Sequence, residues 1–138
     1  MLTLFVIDST GGPRLTDDIK AITSFGTIVE TVKRVKNYPE INEIEKTTNW
    51  YGIIYDNECI EPQLQAALET FFKISDADVL KVYKRIQVDG KPKVFRSLRF
   101  FKNHVKLQEI SLLPTVNNLK IETILNGWVL EDHDSNSI

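Results

Sequence analysis

Trp50-Tyr51-Gly52-Ile53-Ile54-Tyr55-Asp56-Asn57-Glu58 is the strongest strand signal in the chain. Aromatic and β-branched residues occupy both parities of Trp50–Tyr55, which suits a strand buried on both faces of a sheet. The acid-rich triplet then ends it at once. Working back toward the N-terminus, Leu2–Ile7 has the same character and ends at Asp8, and Thr27–Val35 is a third run rich in β-branched residues. Between the first two lies a loop, Ser9-Thr10-Gly11-Gly12-Pro13, followed by a short amphipathic helix. Thr16 is its expected N-cap, Asp17 and Asp18 complement its dipole, and Ile19, Ile22 and Phe25 form its apolar edge up to Gly26. Tyr38-Pro39 breaks the chain again, and Glu40–Lys46 reads as a brief helix carrying Ile41 and Ile44.

Beyond Glu58 the clearest helix spans 60–74. Pro62 fits its first turn, and Ile60, Leu64, Ala67, Leu68, Phe71 and Phe72 make one stripe. Strand and helix therefore alternate three times, which predicts a mainly parallel sheet with right-handed crossovers. The pattern then changes. In Val79–Val88, Leu80, Val82 and Ile86 alternate with Lys81, Tyr83 and Arg85, Asp89-Gly90 is a hairpin signal, and Lys93–Phe101 returns. Apolar segments at Ile110–Leu113 and Ile121–Leu130 are expected to complete the sheet. The fold class expected is α/β: a compact, Rossmann-like, mostly parallel sheet with helices on both faces and an antiparallel hairpin addition.

The 138 residues suit one domain, 1–138, with 132–138 as a flexible polar tail. With 17 basic and 19 acidic side chains the net charge is −2, so composition gives no general case for nucleic acid or an anionic membrane. The clusters Lys33-Arg34/Lys36 and Lys81/Lys84-Arg85 are short for a nucleic-acid footprint. The one cysteine, Cys59, excludes an internal disulfide framework and a cysteine-based zinc cluster, and reads as a buried structural thiol. No apolar run is long enough for a membrane helix, and Met1–Asp8 lacks the basic start of a signal peptide, so a cytoplasmic location is expected.

In open α/β sheets, ligands bind beyond the carboxyl ends of the strands, where this chain places Asp8, Asp56 and Glu58. Carboxylates so spaced suit magnesium or manganese, which takes part of its shell from substrate phosphates. Arg96 and Arg99 on one strand offer an anion site, and Arg14 follows the glycine-rich loop. The alternative is a plain turn at Asp56-Asn57 and an ordinary solvent face on the hairpin. Trp50, Tyr51 and Trp128 read as core or sheet-face aromatics.

Trp50–Glu58 resembles the apolar strand and D-x-D segment of nucleotide-sugar glycosyltransferases of the GT-A fold, above all the inverting family 2. Tyr83–Lys91, Arg96–Phe101 and Gln108-Glu109 resemble a stretch of lipopolysaccharide-core-type members, where a D-G hairpin leads into R-L-F-R and then H-E. Gly127–His133 sits where such enzymes carry a late histidine. The resemblance spans roughly residues 50–133. It implies a GT-A-like fold and metal-assisted transfer of a sugar from a nucleotide-sugar donor to an acceptor of unknown class. Asp56, Glu58 and His133 would hold the divalent cation, Asp8, Arg14, Arg96 and Arg99 would meet the donor, and Glu109 or Asp132 would be the base. The chain lacks the family's v-D-d-g-S-t-D and n-G-n-a-r segments and is much shorter. A partner protein or a second copy that completes the site is one expectation, and a non-catalytic binding or assembly module is the alternative. A nuclease-like metal site ranks last.

Overall fold

The computed structural model describes residues 1–7 and 21–131. The expected 9–13 loop, the helix start at Thr16 and the tail at 132–138 lie outside these residues. Among the described residues eight strands form one sheet: β1 (Leu2–Ile7), β2 (Val29–Val35), β3 (Trp50–Tyr55), β4 (Glu58–Ile60), β5 (Val79–Val88), β6 (Lys91–Lys102), β7 (Ile121–Thr123) and β8 (Val129–Glu131). Two α-helices lie wholly within the described residues, α1 (Tyr38–Glu43) and α2 (Pro62–Ile74); residues 21–23 are also helical, and a 3-10 turn follows at Gly26–Ile28.

The first half follows the sequence closely. β1 lies between β2 and β3 and is parallel to both, with Ile7 level with Val35 and Tyr55. All six residues of β1 are buried, as its unbroken apolar run requires. α1 begins earlier than expected: Asn37 caps it by accepting the Glu40 N–H at 3.0 Å, and Pro39 sits inside its first turn instead of preceding it. α2 begins at Pro62, and Ile60 belongs to β4.

The second half overturns the expected fold class. The sheet is mixed, in the order β2-β1-β3-β6-β5-β8-β4 with β7 also on β5, and its longest strands, β5 and β6, are antiparallel. Among the described residues it is a curled half-barrel with few helices, not a mostly parallel Rossmann-like or GT-A-like sheet. Loop length is the reason. Parallel neighbours need a crossover of about a dozen residues or more, but only residues 56–57 separate β3 from β4, and Asp89-Gly90 alone joins β5 to β6. Asp89 and Gly90 take φ of 53° and 75°, as a two-residue hairpin turn demands. β3 and β4 are consecutive in the chain yet third and seventh in the sheet, so the sheet must curl to bring them together. The apolar segment Ile110–Leu113 forms no strand and lies in a turn, with Ile110 exposed, whereas Ile121–Leu130 supplies β7 and most of β8.

Two apolar layers sandwich the sheet. Leu2, Leu4, Val6, Trp50 and Ile54 face Leu64 and Leu68 of α2 and Phe100 of β6. Phe5, Ile7, Tyr51 and Ile53 face Ile41 of α1, Phe101, Val105 and Leu107. Trp50 and Tyr51 are thus core residues, as read. Gly52 of β3 lies opposite Phe100 of β6, and a Cβ there would stand 2.7 Å from two carbons of the Phe100 ring.

Candidate functional site

The curl collects charged side chains at its seam. β4 runs antiparallel to β8, which sets Glu58 directly across from Glu131. Like charges facing one another are unfavourable, and Lys84 of β5 resolves the clash. Its Nζ lies 2.5 Å from Glu58 Oε2 and 2.7 Å from Glu131 Oε2. Arg99 arrives from β6 through a bulge. Leu80 pairs with Phe100 and Lys81 with Leu98, so Arg99 is the extra residue of its strand and turns inward. Its guanidinium grips Glu58 in a two-pronged contact, Nη1 to Oε1 at 2.6 Å and Nη2 to Oε2 at 2.8 Å. It also donates to Ser97 Oγ at 2.7 Å and the Ile53 carbonyl at 3.3 Å, and lies 5.4 Å from the Tyr55 ring centre. The Tyr55 N–H donates to Glu58 Oε1 at 2.8 Å.

Glu58 and Arg99 are 1% and 3% exposed, so their charges persist only because they meet. Burial alone would raise the Glu58 carboxyl, but Arg99 and Lys84 outweigh it and hold the group below the ordinary carboxylate value. Burial would likewise lower Arg99, and Glu58 overrides it. Burial, and then a hydrogen bond with the Tyr38 hydroxyl, push the Tyr55 phenol up. The cluster is a neutral set of two acids and two bases.

This geometry reassigns two expected ligands. Both oxygens of Glu58 are taken by cations of the protein, and Arg99 is turned toward Glu58 instead of toward a solvent-facing phosphate. Arg96 stays exposed on β6, over the Tyr83 ring at 6.0 Å, and does not share a face with Arg99's partners. Glu109 stands in an exposed turn, in the loop closed by the Leu107–Pro114 bridge. Asp56 is fully buried, and its N–H donates to the Ile7 carbonyl at 3.0 Å, tying the carboxyl ends of β1 and β3. Asp8, Arg14, Asp132 and His133 lie outside the described residues. Among the described residues no group of three or more His, Cys, Asp or Glu side chains is arranged to hold a metal ion. With both its oxygens held by Arg99 and Lys84, Glu58 offers no free oxygen to a divalent cation.

Lys84 and Glu131 are the participants that the motif reading passed over. The signal for them was parity: Lys84 continues the apolar side Leu80, Val82, Ile86 of β5, and Glu131 shares the side of buried Val129 on β8. A charge on an apolar stripe announces a buried partner.

Of the open clefts elsewhere among the described residues, two border side chains already named. One, about 340 Å³, runs beside residues 103–106, where Lys46 stands over the Tyr51 ring at 4.9 Å. The other, about 380 Å³, is lined by Lys81, Arg96, Ser97, Leu98, Leu113 and Ile121.

No family model and no curated protein matches the chain. Among solved structures it is similar to A197 from STIV, a viral protein, with a TM-score of 0.50 and 14% identity over 90% of this chain and 82% of that one. At that identity the likeness shows a shared fold. No helix among the described residues is long and apolar enough to cross a membrane.

Proposed function

We propose that this chain is a non-catalytic binding or assembly module that acts in the cytoplasm. The observation that carries the reading is the ion-paired Glu58–Arg99–Lys84–Glu131 cluster. The acid and the arginine best placed to grip a metal and a diphosphate instead hold the sheet's seam together. A module of this kind acts through its surface and through a partner protein or second copy.

The rival reading is metal-assisted transfer of a sugar from a nucleotide donor. It draws on one observation, the fully buried Asp56 at the carboxyl end of β3, together with the resemblance of residues 50–133.

Thermal unfolding of the full chain with uridine or guanosine diphosphate, with and without manganese, separates the two. A nucleotide at about a hundredfold over its Kd raises Tm by on the order of 10 °C. The module reading expects no shift. A rise that needs manganese and disappears in Asp56→Ala replaces it with the enzyme reading.

A further inference from the structure

The hairpin formed by β5 and β6 outruns the rest of the sheet. β6 pairs with β3 only through Phe100–Lys102, while its other edge pairs with β5 from Lys91 to Phe101 except at the bulged Arg99. From Lys91 to Leu98 the outer edge of β6 has no strand beside it among the described residues, and Lys91–Arg96 are all exposed. A row of unpaired backbone N–H and C=O groups is a template for another strand. Val94 and Phe95, 49% and 47% exposed, point to opposite faces there, so an added strand would find an apolar neighbour on each side.

Charge selects what would be added. Between residues 81 and 98 the chain carries Lys81, Lys84, Arg85, Lys91, Lys93 and Arg96 against the lone acid Asp89, although the whole chain is at −2. Lys84 is spent on Glu58 and Glu131, which leaves Lys91, Lys93 and Arg96 along the open edge. A second copy is disfavoured, because antiparallel self-pairing centred on Val94 and Phe95 sets Lys93 across from Arg96. Nucleic acid is disfavoured too: Tyr83 and Trp128 already carry Arg96 at 6.0 Å and Arg85 at 5.5 Å, which leaves Phe95 as one exposed ring and not the series of platforms on which successive bases stack.

We infer that the outer edge of β6, Lys91–Leu98, is a docking site for an extended acidic peptide segment of a partner protein, which adds to the sheet as a further strand. The inference rests on the binding-module reading and names that module's partner by its chemistry.

Fluorescence anisotropy with a labelled octapeptide of alternating glutamate and valine tests it, beside a lysine–valine counterpart and a single-stranded DNA octamer. Saturable binding is expected for the acidic peptide alone. It should weaken at least tenfold in the pair Lys93→Glu with Arg96→Glu, whose unchanged Tm shows that the fold survives. Amide exchange should slow at Val94–Leu98 when the peptide is bound. Absence of binding, persistence in the doubly reversed protein, or preference for the DNA overturns the edge-docking inference. So does light scattering that shows a dimer broken by the same double reversal. None of these outcomes involves manganese or a nucleotide, so failure of the edge and failure of the module reading are distinguishable.

Discussion

Arg96 and Arg99 stand three residues apart on one strand and lead opposite lives. The outer end of β6 runs exposed from Lys91 to Arg96, with its cations in solvent, and the inner end is buried from Arg99 to Phe101. A bulge and the curl of the sheet make the difference. The bulge rotates Arg99 out of the strand's alternation, and the curl delivers Glu58 from the other end of the strand order to meet it. The same guanidinium is thus a structural anchor at one end and a surface charge at the other. Side-chain chemistry did not assign these roles; distant strands did.

Breaking that contrast should give the largest effect. Arg99→Met leaves Glu58 buried with Lys84 as its remaining ionic partner, and removal of one member of a buried pair costs about 3–5 kcal/mol. Arg96→Met, three residues away, should change stability by no more than about 0.5 kcal/mol. Urea unfolding of the two variants measures both. Replacing the pair together, Glu58→Leu with Arg99→Met, should recover part of the loss, because it leaves no unmatched charge between those two positions. Equal losses for Arg96→Met and Arg99→Met would mean that the seam cluster adds nothing to the fold.

A smaller loss sharpens the comparison at the meeting of the two halves. Gly52 belongs to the parallel unit and Phe100 to the antiparallel one, and a methyl group at Gly52 meets the Phe100 ring 2.7 Å away. Both groups sit in the core, where overpacking costs about 1–3 kcal/mol. Gly52→Ala is therefore expected to lower urea stability within that range, and Phe100→Leu in the same chain to relieve part of the strain. If Gly52→Ala is neutral, the halves are less tightly joined than this contact indicates.

The same division marks what could be read from the sequence. β1 and β3 were legible because each is a local pattern, an apolar run whose residues specify burial without reference to the rest of the chain, and β2 was legible from its β-branched residues, although only Val35 of it is buried. The Asp89-Gly90 turn and the stripe of α2 were legible for the same reason. The order of the remaining strands was not, since strand–helix alternation speaks only for the segments that alternate, and the two-residue β3–β4 link ends that regime at Asp56. The candidate site suffered most. Asp56-Asn57-Glu58 reads as a ligand triplet along the chain, and only the β4–β8 pairing reveals that Glu58 faces Glu131 and needs Lys84. Parity on β5 held that clue, because Lys84 interrupts an apolar side. The bulge at Arg99 left no comparable trace.

The smallest effect concerns how the buried end responds to acid while the exposed end does not. Arg99 and Lys84 keep the Glu58 carboxyl below its ordinary value in the folded chain. Between that lowered value and the ordinary one, about 4.3, the unfolded chain binds a proton that the folded chain refuses, so stability must rise with pH across this window. Above it the contribution is complete and flat, and below it the contribution is gone. Wild-type stability is thus expected to fall as pH drops below about 5, with Glu58 adding at most about 1.4 kcal/mol per pH unit to the slope. Glu58→Gln lowers stability at every pH because it strands Arg99, so the informative quantity is the slope and not the level. The variant's slope should be shallower between pH 5 and pH 3, while Arg96→Met should track the wild type in parallel. Chemical unfolding at a series of pH values reads this directly. Parallel curves for wild type and Glu58→Gln would show that the carboxyl at the seam titrates alike in the folded and unfolded chains, and would remove the ionic argument for the curl.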